Sequence, residues 1–110
     1  MSAFIVLHNV VTDPAKMQQY IPKAIETLTA HGAEILVVAE AATVLEGSPP
    51  FPRTIVLKFP SRDAAKAWYD SPEYRKALPL RLQATRGYAV LAQQRVPLGR
   101  PFAALGVPSA

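Results

Sequence analysis

Few side chains in this 110-residue chain can do chemistry, and their positions restrict what that chemistry is. There is no cysteine, which removes thiolate nucleophiles, disulfides and thiolate metal sites. The two histidines, His8 and His31, show no HxH or HxxxH spacing, so a metal centre built from them and the eight carboxylates is not expected. His8 lies in an otherwise apolar run and is a candidate general base, because imidazole titrates near neutrality. Its plainer role is a satisfied core or interface residue. Glu46 and Arg53 flank a proline-rich segment and are candidates to meet at the mouth of a pocket. There the arginine would hold the carboxylate ionised, or grip an anionic substrate group through two hydrogen bonds. A structural ion pair that tethers the loop is the alternative. Asn9, Tyr20, Trp68, Tyr69, Tyr74 and Arg81 are the candidate substrate contacts. Trp68, Tyr69 and Tyr74 would form an aromatic wall with an indole N–H and phenol O–H groups as polar handles, or simply part of the core.

These residues must be carried by elements that the local pattern predicts. Residues 3–11 (AFIVLHNVV) read as a strand apolar on both faces, with Phe4, Val6, His8 and Val10 on one side and Ile5, Leu7 and Asn9 on the other. Thr12-Asp13-Pro14 starts a helix, with Asp13 as cap rather than catalyst. Met17, Ile21, Ala24, Ile25 and Leu28 form its expected buried stripe, Tyr20 packs between it and the sheet, and Pro22 is expected to kink or split it. Gly32 suits a left-handed stop. Residues 34–45 are the second strand, with a bend near residues 39–42, residues 46–52 a loop, residues 54–59 the third strand and residues 87–94 the fourth.

Between the last two strands lies a helical stretch with two caps. Ser61 with Asp63 opens it, and Ser71-Pro72-Glu73 repeats the same grammar, which predicts a break near residues 70–71. Tyr74, Leu78 and Leu82 are its expected inward stripe, with Arg75, Lys76 and Arg81 toward the outer or terminal side. The order strand, helix, strand, strand, helix, strand predicts an α+β, ferredoxin-like βαββαβ unit: a four-stranded antiparallel sheet with two helices on one face. The other sheet face would stay apolar and uncovered, so a homodimer through that open face is expected. Residues 1–95 form the predicted domain and residues 96–110, rich in proline and glycine, an extended tail.

The net charge of +4 is uneven, with −3 over residues 1–52 and +7 over residues 53–110. The basic residues are spread out rather than gathered in a run, so nucleic acid is not an expected partner. No apolar run approaches the ~20 residues of a membrane span. The first residues lack a basic region and cleavage site, so the expected location is cytoplasmic, with no membrane partner.

The combination Asn9-Val10-x-Thr12-Asp13-Pro14, Tyr20, Gly32, Leu45-Glu46-Gly47, Arg53, Phe59-Pro60-Ser61, Ala65, Trp68-Tyr69-x-Ser71-Pro72-Glu73-Tyr74 and Arg81 resembles a bacterial family of small domains of unknown function. That family belongs to the dimeric α+β barrel superfamily. The resemblance spans residues 3–95 and departs from the family pattern at Ala33, in place of a second glycine, and at Ala39-Glu40-Ala41, in place of an Arg-Gly-Gly turn. It implies a ferredoxin-like protomer and a barrel-forming dimer. The superfamily also includes cofactor-free monooxygenases, lactone isomerases and haem degraders. Asn9 and Trp68 are similar to residues of the haem degraders, but Leu78 stands where their haem-ligating histidine would fall, so no cofactor is expected. The expected function is a cofactor-free enzyme acting on a small aromatic or carbonyl-bearing metabolite. The alternative is a non-catalytic homodimeric module that binds a small anionic metabolite or a partner protein.

Overall fold

In a computed structural model, which describes residues 1–94, the chain runs β1 (Ala3–Val11), α1 (Pro14–Ala30), β2 (Glu34–Ala39), β3 (Arg53–Phe59), α2 (Arg62–Asp70), α3 (Pro72–Ala84) and β4 (Thr85–Gln93). The expected tail lies outside the described residues. The sheet is antiparallel throughout, in the order β2-β3-β1-β4. Strand β1 is therefore interior, with both of its edges hydrogen-bonded to neighbouring strands. Its inward residues Ala3, Ile5, Leu7 and Asn9 are buried against the helices. Asn9 is flanked in register by Arg53 of β3 and Gly87 of β4.

Helix α1 begins as expected, with the Asp13 carboxylate accepting from the Lys16 amide at 3.1 Å and Pro14 in the first turn. Pro22 does not split it: the helix is continuous to Ala30. The proline lies on the exposed side, while Met17, Tyr20, Ala24 and Leu28 pack inward on both sides of it. That packing outweighs one missing backbone bond. Ile21 and Ile25, expected in the buried stripe, are 40% and 46% exposed. Strand β2 stops at Ala39, well short of residue 45, and its irregularity falls between Ile35 and Val37 rather than at residues 39–42.

The second helical stretch resolves into two helices, so the fold has three helices where two were expected. Ser71 ends α2 and caps α3. Its backbone is extended (φ −64°, ψ 145°), the conformation to which a following proline confines it. Its hydroxyl donates to the Trp68 carbonyl at 2.8 Å and accepts from the Tyr74 amide at 3.2 Å. The buried stripe of α3 is Tyr74, Ala77, Leu78, Arg81 and Ala84, and Leu82 is 61% exposed. Helical geometry explains this correction. At about 100° per residue, position 81 returns to within about 20° of Tyr74, whereas position 82 is about 80° away.

The core lies between the sheet and all three helices. Trp68, 2% exposed, stacks at 4.0 Å on Tyr74 and at 5.5 Å on Phe59. Ala65, fully buried, keeps α2 close to the sheet. On the opposite sheet face Tyr88 and Val90 are about half exposed, beside the half-buried Phe4, Val6, His8 and Val10. Among the described residues no helix is long and apolar enough to cross a membrane.

Candidate functional site

A cavity of about 200 Å³ lies between the inner sheet face, α1 and α3. Its walls are aliphatic, and Trp68 forms part of them. Ile21 and Ile25 of α1, with Ile35 and Val38 of β2, line it while remaining 40–57% exposed, so they form its mouth. Its polar lining comes from Asn9, Tyr20, Arg53 and Arg81.

Asn9 is placed by the sheet. Arg53, opposite it on β3, donates from Nη1 to Asn9 Oδ1 at 3.3 Å and from Nε to Glu40 Oε1 at 3.3 Å. A guanidinium only donates, so it holds the amide oxygen of Asn9 toward itself and the amide nitrogen away. That nitrogen, Nδ2, is buried and has no hydrogen-bond partner among the described residues. Gly87 permits the arrangement from the other side. A Cβ there would lie 2.1 Å from the His8 carbonyl oxygen and 2.6 Å from Asn9 Cα, and its φ of +150° is one that side chains rarely adopt.

The second polar group hangs from the helices. The phenol oxygens of Tyr20 (α1) and Tyr74 (α3) are 2.8 Å apart, and Arg81 Nε donates to Tyr74 Oη at 3.2 Å. Burial pushes the Tyr20 phenol far above its ordinary range, and Tyr74 adds to the shift, so Tyr20 stays neutral. Burial alone would lower Arg81, but the surrounding phenol oxygens of Tyr74, Tyr20 and Tyr69 outweigh it and raise the guanidinium above its ordinary value. Arg81 therefore stays charged. Trp68 is a wall and not a donor to the cavity: its indole N–H is spent on Thr27 Oγ1 at 2.9 Å, and Thr27 passes its own hydrogen to the Ala24 carbonyl at 2.8 Å.

The structure thus brings Asn9, Tyr20, Arg53, Trp68 and Arg81 together around one cavity. Tyr74 stands behind it, and Tyr69 packs against Trp68 and Tyr74, half-buried beneath the Arg75 guanidinium at 4.8 Å. Two candidates lie elsewhere. His8 points to the open sheet face, where its Nδ1 is 3.2 Å from Thr54 Oγ1 and its ring meets Tyr88 edge-on. Glu46 is exposed in the loop beyond that face and does not pair with Arg53, whose carboxylate partner is Glu40. Neither joins the cavity. Sequence reasoning missed Glu40 and Thr27. Thr27 had a signal, since it falls seven residues after Tyr20 on the same face of α1; Glu40 had none without the strand register.

The chain from residue 2 to residue 94 matches the family described as Domain of unknown function (DUF1330). The chain belongs to this family. A comparison with curated proteins finds no match. Among solved structures, the chain is similar to RPA0582 of Rhodopseudomonas palustris, a protein of unknown function, with 16% identity, a TM-score of 0.68 and coverage of 87% of this chain and 84% of the other. It is similar to SnoaB of Streptomyces nogalater, a cofactor-independent oxygenase, with 12% identity, a TM-score of 0.60 and coverage of 90% and 98%. It is also similar to a dimeric ferredoxin-like protein of unknown function from Thermobifida fusca, with 20% identity, a TM-score of 0.56 and coverage of 84% and 91%. At these identities the likeness is one of fold: this DUF1330 member has the ferredoxin-like α+β architecture of the dimeric α+β barrel proteins.

Proposed function

We propose that the cavity binds one small, mainly apolar molecule with a carbonyl or oxyanion oxygen set against Asn9 and Arg53, and that this DUF1330 chain is a cofactor-free enzyme acting on it. The observation that carries this reading is the buried, unpartnered Asn9 Nδ2 on the cavity wall. An orphaned buried donor costs about 1–3 kcal/mol, which a ligand oxygen would recover. A cavity of about 200 Å³ is of the scale that admits a single ring or a short branched chain; cavities of about 150 Å³ bind benzene.

An amide N–H and a guanidinium held in place beside a carbonyl oxygen stabilise the negative charge that forms there. When the adjacent C–H bond breaks, its electron pair moves onto that oxygen as an enolate. The described residues lining the cavity include no carboxylate or imidazole, and Tyr20 is a neutral phenol, so the proton leaves to water or a dissolved base at the mouth. This restricts the substrate to one whose C–H is already acidic. SnoaB supports the view that this fold can host chemistry without a cofactor. The same lack of an internal base favours the second reading, a non-catalytic module that binds a small anionic metabolite.

Proton NMR of pentane-2,4-dione in D₂O separates the readings. The expected result is exchange of the central C–H faster than in buffer alone, lost in Asn9→Leu. Binding without faster exchange assigns the non-catalytic role, and no binding removes the cavity reading altogether. We also propose that two copies associate through the open sheet face, placing His8 and Tyr88 at the interface. The Thermobifida fusca protein is described as dimeric, which supports a two-copy assembly.

A further inference from the structure

The two arginines of the cavity are not equivalent. Arg53 shares its charge with Glu40 at 3.3 Å and with the oxygen of Asn9. Arg81 is 7% exposed, and among the described residues its guanidinium has one hydrogen bond, from Nε to Tyr74, and no carboxylate within ion-pair distance. Its terminal nitrogens, with four N–H donors, have no acceptor among the described residues, and Arg81 lines the cavity. Neither terminal nitrogen is fully buried, so both face space that an acceptor of opposite charge can reach. The Tyr74 hydroxyl orients the guanidinium through Nε and leaves the terminal fork free.

We propose that Arg81 is a carboxylate-binding subsite, and that the molecule this cavity takes is a small apolar monocarboxylate whose second oxygen faces Asn9. This inference rests on the cavity reading above and names its ligand class. The flat fork of a guanidinium matches the two oxygens of a carboxylate. One uncompensated arginine in an aliphatic cavity balances one negative charge. A phosphate dianion would leave a charge unmatched in an apolar space. A 2-oxo acid with a short branched or single-ring side chain meets all the requirements: a carboxylate for Arg81, a carbonyl for Asn9 and an apolar body for the walls.

The test is calorimetric titration of the full chain with three matched probes. These are 4-methyl-2-oxopentanoate, the neutral ketone 4-methylpentan-2-one, and 4-methylpentanoate, which lacks the second oxygen. The oxo acid is expected to bind at least ~10-fold more tightly than the ketone, the size of one charge-assisted contact. Arg81→Gln should remove that preference, and Asn9→Leu should weaken oxo acid and ketone alike while sparing 4-methylpentanoate. Circular dichroism checks that each variant folds. If Arg81→Gln does not fold, Arg81→Lys, which keeps the charge and loses the fork, should reduce the preference several-fold, and an unchanged preference would overturn the assignment. So would equal binding of oxo acid and ketone to the wild type, or loss of the preference in Arg53→Gln alone. Asn9-dependent ketone binding with no acid preference would leave the cavity reading standing and remove this one. No binding of any probe would remove both.

Discussion

At the scale of single residues, the cavity is defined by what its polar groups lack. Among the described residues, Asn9 has an amide donor with no acceptor, and Arg81 a charge with no carboxylate within ion-pair distance. Tyr20 is the opposite case: its hydroxyl is satisfied by Tyr74 and its proton is held tightly, chiefly by burial. A phenol whose folded pKa is raised keeps its proton at pH values where the unfolded chain has released it. The stability this contributes is fully present below the unfolded value of about 10 and is lost as pH rises above it. Unfolding by urea at a series of pH values from about 8 to 11 should therefore show stability declining above pH ~10. Tyr20→Phe should lower the plateau and flatten that decline. An equally steep decline in the variant would show that Tyr20 is not its source.

At the scale of elements, capping was legible and helix phase was not. Asp13-Pro14, Ser61 and Ser71-Pro72 all act where the sequence places them, because a cap is a contact between neighbours in the chain. The inward stripe of α3 was misassigned because Leu82 is the more apolar residue and Arg81 the better placed one. Strand β1 was legible down to the face that carries Asn9, since alternation alone sets it. What holds Asn9 in position is a neighbouring strand, at Gly87. Gly87→Ala should push β4 away from β1, because the new methyl meets backbone atoms of His8 and Asn9 that cannot swing aside. The expected loss is about 3 kcal/mol or more in chemical denaturation, together with loss of ligand-induced thermal stabilisation. A variant as stable as the parent, with ligand response intact, would show that Gly87 does not position the site.

At the scale of the whole molecule, the helices cover one sheet face, and the other carries no helix. Val90 and Tyr88 are 50% and 46% exposed in the middle of that apolar face. Light scattering should give the wild type the mass of a dimer and Val90→Asp the mass of a monomer, since a carboxylate there would be buried without a partner. A monomeric wild type would end the dimer proposal. The described residues lining the cavity come from one chain and lie on the helix side, so a folded Val90→Asp monomer should still bind 4-methyl-2-oxopentanoate.

The sequence by itself determined the order of elements, the caps, the break before Pro72 and the face of the first strand that carries Asn9. These depend on alternation, turn chemistry and contacts within a few residues. Only the tertiary structure decided that Arg53 answers to Glu40 and not Glu46, that the helices cover the Asn9 face of β1 and not the His8 face, and that Arg81 turns inward with no carboxylate among the described residues to meet it. Strand register and helix rotation are set by packing between elements far apart in the chain, and those two quantities place every polar group in the cavity.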